Sequence, residues 1–420
     1  MRQRIISVIS THTFRSSVIT SVSTFMTAGL GAVFYLLVAR TLGAKEYGLF
    51  SLALTFFALG VTVGDLGTGQ SLVKFVGQST GSSQYYPYAK IAFIIKLFIG
   101  LIFLFASILM AGPISAFFGH PEIISLLPII GVAILLQTLL SLSLVILQGL
   151  QKFLLWGSIQ VGSNLVRLFI LGLIFLVLPL TSQSVLLGFT GSIFLATAFS
   201  WIRSDWKFLW TRISRQQFLE FFNFTKWTAM FMPLSSLVSR IDIFLLAKWG
   251  GDISQVGVYS LGVTMASFLP QLGGALGAVT SPKFASFQDS VSAARYLKKS
   301  SLFVSLAAVT VALIMIPAAL AVVWFTGRDF QNSFTPFLIL LASFTIFLFT
   351  NPLRDCLLYY YHRPDFFWWL NLGQGLVLAI FSFFLIPAYG VVGTAASVFI
   401  SHIFTLIAST LFYHQLRLNP

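Results

Sequence analysis

The sequence predicts an all-α polytopic membrane protein: twelve transmembrane helices in two six-helix lobes related by a pseudo-twofold axis along the membrane normal. Three observations lead there. Of the 420 residues, 57% are hydrophobic and only 9% charged, with a mean hydropathy of +0.92, whereas a soluble domain carries roughly 25% charged residues. The apolar residues gather into runs of about 20, the length a helix needs to cross the hydrocarbon core. Finally, the chain repeats itself. The stretch VARTLGAKEYGLFSLALT, Val38 to Thr55, returns as LAKWGGDISQVGVYSLGVT, Leu246 to Thr264, and a shift of 209 places pairs Gly48 with Gly257, Ser51 with Ser260, Thr55 with Thr264, Gly64 with Gly273 and Lys74 with Lys283. That shift is close to half the chain, and each copy bridges two apolar runs, as in membrane transporters built from internal repeats.

The predicted spans run over 14–39, 47–68, 89–111, 123–147, 154–178, 184–203, 226–248, 256–280, 300–325, 333–355, 366–387 and 391–413, joined by short loops. The first follows the basic start MRQR and is too long for a signal-peptide core, so it is expected to be a retained span. Lys and Arg in the loops set orientation. One set of ends carries Arg2, Arg4, Arg15, Lys74, Lys90, Lys152, Arg203, Lys207, Arg212, Arg215, Lys283, Arg295, Arg354, Arg363 and Arg417 among others; the opposite set has Arg40, Lys45, Lys248 and Arg328. Both termini are therefore expected in the cytoplasm. Six spans per half bring both halves into the membrane from the same side, which sets the expected axis along the normal.

Residues 1–203 are thus read as one lobe, 204–225 as a cytoplasmic linker and 226–420 as the second lobe. In Ser204 to Lys226, Trp206, Leu209, Trp210, Ile213 and Phe221 recur at helical spacing opposite Lys207, Arg212 and Arg215, which predicts a helix lying in the headgroup layer. Tyr359 to Tyr361 and Phe366 to Trp369 read as interfacial anchors. Pro233, Pro270, Pro317 and Pro352 fall within spans, and Gly273 with Gly277 puts a GxxxG spacing on the eighth; packing is their first role and hinge motion their second. Cys356 is the single cysteine, so no intramolecular disulfide or cysteine metal cluster can form. The net charge of +14 follows from topology, and nucleic acid is not an expected partner. No cofactor motif occurs: there is no Gly-rich phosphate loop before a basic residue, no metal-ligand spacing and no Ser/His/Asp arrangement.

Charges inside spans are the candidate site. Arg167 lies about mid-bilayer in the fifth span, where an arginine costs roughly 2.5–3.5 kcal/mol on insertion scales and should face a polar cavity. Asn164, three residues earlier, shares its face. Arg240 is read as similarly deep in the seventh span, sharing a face with Ser236, while Asp242, two residues on, points elsewhere. Lys96 is shallow enough for its ammonium to snorkel to the cytoplasmic headgroups, the alternative being a place in the substrate path. Asp65 is either a helix-end residue paired with Lys74 or Lys90, or a cation site. His402 is expected to be a hydrogen-bonded structural histidine. Together these make a neutral to cationic interior suited to an anionic substrate such as a pyrophosphate, with Arg167, Arg240, Asn164 and Lys96 as candidate substrate ligands and Asp65 and Asp242 as candidate coupling-ion residues.

The motifs ARTLGAKEYGLFSL, GDLGTGQSLVKF, LQGLQKF, RIDIFLLAKWGGDISQVGVYSLG, SPKFAS and LIPAYGVVGTAASVFIS resemble those of the Wzx-type oligosaccharide lipid flippases of the polysaccharide transporter group, in the superfamily of multidrug and toxin extruders and lipid II flippases. The resemblance covers nearly the whole chain. It implies a two-lobed, twelve-helix bacterial inner-membrane protein that turns an undecaprenyl-pyrophosphate-linked oligosaccharide across the membrane by alternating access, with a cavity lined by cationic side chains such as Arg167 and Arg240. It also implies membrane lipids, Na⁺ or H⁺, and polysaccharide polymerase machinery as partners. The lipid II flippases usually have fourteen spans, so a lipid groove made by extra helices is not carried over. A cation-coupled multidrug exporter of the same fold is the alternative, and it would use Asp65 and Asp242. A polysaccharide polymerase or ligase needs a substantial outer loop with catalytic groups, and the outer loops here are short, so the chain is not expected to be an enzyme.

Overall fold

The computed structural model describes residues 12–79 and 83–418; Arg2 and Arg4 lie outside them. Among the described residues every regular element is helical: α1 (His12–Asp65), α2 (Thr68–Gln78), α3 (Tyr86–Leu109), α4 (Ala111–Phe118), α5 (Ile123–Gly149), α6 (Phe153–Val177), α7 (Ser182–Ile202), α8 (Arg215–Val238), α9 (Ile241–Trp249), α10 (Ile253–Ala266), α11 (Phe268–Ala285), α12 (Ser290–Thr326), α13 (Phe334–Asp355) and α14 (Pro364–Leu418), with short 3-10 and π turns between some of them.

Among the described residues, nine helical stretches are long and apolar enough to cross a membrane. Two of these, α1 and α14, contain a non-helical glycine, Gly43 (φ 70°) and Gly390 (φ 53°). An unbroken helix of that length would be about 80 Å long, far more than the roughly 30 Å core, and a left-handed residue is where glycine alone is unstrained. Each is therefore two spans. The broken pair α8 and α9 makes one more, and the described spans number twelve, as the apolar runs predict. Their outer faces are apolar: Phe169, Leu176 and Trp324 are 67%, 78% and 86% exposed, the arrangement expected when the solvent is lipid rather than water.

The chain forms two compact units. Among the described residues, one comprises 12–38, 53–79 and 83–236, the other 39–52 and 237–418. The division thus falls after Ser236 rather than around 204–225, and the turn between the first two spans belongs with the second unit. Within the first unit, Leu72, Phe75, Ala89, Ala92, Leu142, Phe208 and Phe221 build a buried core, in which Phe75 stacks on Tyr88 at 4.2 Å. Phe208 and Phe221 come from the stretch expected to be one interfacial helix. That stretch is instead a 3-10 turn over Trp206–Trp210, started by Asp205 accepting from the Lys207 N–H at 3.1 Å, followed by α8, which begins at Arg215 and runs on into the span. Helical spacing reports an apolar stripe but not what covers it, and here much of the stripe faces protein.

In the second unit the repeated stretch meets its own copy. A Cβ on Gly48 would overlap the carbonyl oxygen of Ile253, and a Cβ on Gly257 that of Ala44. Gly48 and Gly257 are equivalent under the shift of 209, and so are Ala44 and Ile253, so the contact is reciprocal, as at a local twofold axis. Tyr47, Phe50, Val256 and Tyr259 are buried around it. The GxxxG on α11 behaves otherwise. Only Gly273 is close to a neighbour, Asn351 of α13, while Gly274 and Gly277 have open space around them, so that spacing does not bring two helices together along its length.

Gly48→Ala and Gly257→Ala should each destabilise the protein by about 1–3 kcal/mol, the usual cost of forcing an extra carbon into packed structure. The loss is read as a lower Tm in thermal unfolding, and the double variant should depart from additivity because the two sites touch.

Candidate functional site

The first unit holds two polar clusters inside its helices. The first arises where the second span breaks. Leu66 (φ 41°) and Gly67 (φ 73°) are both left-handed, so α1 ends at Asp65 and α2 starts anew at Thr68. The buried start of α2 is met from behind: the Asp65 carboxylate accepts from the Gly69 N–H at 3.4 Å, and the Thr68 hydroxyl donates to the Asp65 carbonyl at 2.6 Å. A carboxylate at a helix N-terminus is also favoured by the helix dipole. Lys96 of α3 donates to the same carboxylate, and to Ser141 of α5 at 3.0 Å; Ser141 in turn donates to the Thr138 carbonyl at 2.7 Å.

Two expectations are overturned here. Lys96 does not snorkel: it is 0% exposed, because a partner inside the bundle compensates its charge. Asp65 pairs with neither Lys74 nor Lys90. The Lys74 ammonium lies 4.1 Å from the Phe224 ring centre, and Lys90 donates to the Thr211 carbonyl at 2.9 Å.

The second cluster surrounds Arg167 on α6. Its Nε donates to the Ser192 hydroxyl at 3.3 Å and its Nη1 to the Asn164 Oδ1 at 3.4 Å. Asn164 is anchored in turn by donating to the Gln160 carbonyl at 2.9 Å. The guanidinium lies over Phe189 at 4.3 Å and faces Phe34 at 5.5 Å. Neutral acceptors and ring faces therefore hold it, and among the described residues it forms no ion pair. It remains a net positive charge deep in a span and is half-buried.

In the second unit, Arg240 is not within a helix. The seventh span breaks at residues 239–240, and Arg240 precedes α9 with φ −135°; no shared helical face with Ser236 exists across that break. Asp242 falls in the first turn of α9 and is buried. Its Oδ2 accepts from the Tyr259 hydroxyl at 2.6 Å, while its Oδ1 has no partner. His402 is hydrogen-bonded through Nδ1 to the Ser343 hydroxyl at 2.7 Å, between the rings of Phe344 and Phe347.

A cluster that sequence reasoning missed lies at the end of α13. Arg354, read from the sequence as a cation at the cytoplasmic end of the tenth span, is half-buried with its guanidinium over Phe347 at 5.3 Å and Phe367 at 5.5 Å. Asp355 beside it accepts from the Thr280 hydroxyl of α11. The signal was present as Asn351-Pro-Leu-Arg-Asp, polar residues closing an apolar run, followed by a π turn over Cys356–Tyr360 that extends the helical path.

The chain matches the model of a family described as "Polysaccharide biosynthesis protein" over residues 37–334. Its fold is similar to that of the lipid II flippase MurJ in an inward closed conformation, with a TM-score of 0.73 at 17% identity over 94% of this chain and 87% of that one. It is also similar to a multidrug resistance MATE family transporter of the MOP superfamily in an inward-facing conformation (TM-score 0.68, 13% identity, 92% and 99% covered). A MOP superfamily transporter from Pyrococcus furiosus, described as having a binding pocket of reverse polarity, gives a TM-score of 0.64 at 13% identity with 96% and 95% covered. Among curated proteins none matches. The fold is thus that of membrane transporters.

Asp65→Asn should strand the fully buried Lys96 ammonium and cost about 3–5 kcal/mol, the loss typical of breaking a buried pair from one side. Lys96→Met should cost less, since the Asp65 side chain is 25% exposed and keeps its bond from the Gly69 N–H. The double variant Asp65→Asn/Lys96→Met should regain most of the stability in thermal unfolding; an additive loss would show that the two groups do not compensate each other.

Proposed function

The chain belongs to the family of polysaccharide biosynthesis proteins, and we propose that it is a flippase that moves an undecaprenyl-pyrophosphate-linked oligosaccharide, a repeat unit of O-antigen, capsule or exopolysaccharide, across the cytoplasmic membrane by alternating access. The observation that carries this reading is Arg167. A guanidinium held in a span by Asn164, Ser192 and two aromatic rings, with no ion pair among the described residues, keeps its charge available to an anion. Arg suits the task, since its planar fork matches two phosphate oxygens at once. Arg240, at the break of the seventh span, is the candidate of the second unit, and Asn164 positions Arg167; Lys96, the fourth residue of the expected set, could meet an anion only on release from Asp65. The likeness of fold to a lipid II flippase supports a lipid-linked cargo. The distribution of Lys and Arg supports cytoplasmic termini.

The reading as a cation-coupled drug exporter draws on the likeness to MATE transporters and on the unpartnered Oδ1 of buried Asp242. It is weakened at Asp65, whose charge is already met by Lys96. In the flippase reading Asp242 is the residue that would take up Na⁺ or H⁺.

In proteoliposomes, Arg167→Gln and Arg240→Gln should each reduce translocation of a polyprenyl-pyrophosphate glycan at least about tenfold, as expected for loss of a charge-assisted contact, with Tm close to the parent. A polyprenyl-pyrophosphate glycan should also raise Tm in the parent by RT ln(1 + [L]/Kd) and lose that effect in the double variant. Unchanged translocation in both variants would remove these arginines from the site. A thermal shift with a lipophilic cation alone would favour the exporter.

A further inference from the structure

A cavity of about 500 Å³ opens in the first unit at the end of the bundle where α2, α5 and α7 finish and α3 begins. None of the substrate candidates lines it. Two cations do, Lys152 and Arg203, both exposed and neither in an ion pair among the described residues. The backbone fixes both. Lys152 sits in the three-residue connection between α5 and α6, where its N–H donates to the Leu147 carbonyl at 2.9 Å and that of Gln151 (φ 58°) to the Gln148 carbonyl at 3.0 Å. Arg203 ends α7 and lies over the Phe199 ring at 5.5 Å, which leaves the edge of the guanidinium for an acceptor.

The wall holds a single carboxylate against the two cations. Asp205 accepts from the Tyr86 hydroxyl at 2.5 Å through Oδ2 and from the Lys207 N–H at 3.1 Å through Oδ1, and among the described residues it forms no ion pair with either cation. Tyr85, Gln151, Ser143 and Ser204 add neutral hydrogen-bonding groups, while Val76, Ile146 and Phe208 make part of the lining apolar. The volume falls within the roughly 300–1,000 Å³ usual for small-molecule sites.

The surroundings indicate which phosphate. Ile202 is 77% and Trp210 87% exposed; Ile202 adjoins the cavity residue Arg203 in sequence, and Trp210 closes the 3-10 turn that carries the cavity residue Phe208. Exposed apolar and indole side chains at the end of a span mark the depth of lipid headgroups, and basic pockets at that depth recognise anionic head groups. A free phosphate would gain nothing from them, whereas acyl chains would.

We propose that this cavity binds the phosphate-bearing head group of an anionic membrane lipid, with Arg203 and Lys152 as its ligands and the acyl chains lying beside Ile202 and Trp210. The site lies apart from the substrate candidates and does not rest on the flippase reading.

The test uses the full chain in detergent, with thermal-shift titrations of dioctanoyl phosphatidylglycerol, dioctanoyl phosphatidylcholine and inorganic phosphate. Phosphatidylglycerol should raise Tm saturably, with an apparent affinity about tenfold or more weaker in Lys152→Gln/Arg203→Gln, while Arg203→Lys keeps most of the effect. Phosphatidylcholine and inorganic phosphate should leave Tm unchanged. An equal response of parent and double variant to phosphatidylglycerol would overturn the site, as would an equal response to phosphatidylcholine. Inorganic phosphate reproducing the shift would overturn the lipid assignment. If the double variant does not fold, Lys152→Gln alone, a change in an exposed loop, gives the same comparison.

Discussion

In the hydrocarbon core a charge has no water to fall back on, and much of the structure follows from how each buried charge is met. The protein uses three different answers. Lys96 is met by an opposite charge, and that pairing needs the carboxylate at a precise depth, which the two left-handed residues after Asp65 supply by ending one helix and starting the next. Arg167 is met by neutral partners and the faces of two rings, which leaves its charge in place. Asp242 is half met, by one tyrosine hydroxyl on one oxygen. These answers differ in what they leave over for a ligand: nothing at Lys96 while Asp65 holds it, a full positive charge at Arg167, and one acceptor oxygen at Asp242.

The break at Asp65 also illustrates how irregular backbone is tolerated at membrane depth. Freed amide and carbonyl groups must find partners within the protein, and here one free amide of α2, that of Gly69, finds the side chain of the residue that ended α1. One carboxylate therefore serves a helix start and a lysine at once, which ties the integrity of the second span to the third.

The spans were legible in the sequence because twenty apolar residues in a row have few other uses, and the repeat because its small residues sit where backbones touch. The Asn164–Arg167 contact was legible too, since three residues on one helix is a local relation. What escaped was rotation and partnership across helices. Depth along a helix can be counted, but whether Lys96 faces lipid or Asp65, 31 positions away, depends on how the bundle packs. The break before Arg240 escaped for a different reason: Ser239 and Arg240 carry neither glycine nor proline, so no local residue announces it. Arg354 was placed at a span end because the apolar run stops there, while the π turn carries the helical path further.

The reciprocal contact of Gly48 with the Ile253 carbonyl and of Gly257 with the Ala44 carbonyl has a consequence for ancestry. A surface that fits its own copy needs only one gene to encode it. A half-length ancestor bearing this corner would have been self-complementary and could have assembled as a homodimer before any duplication. Joining two copies of such a half in one chain would keep this fit without a new contact having to arise.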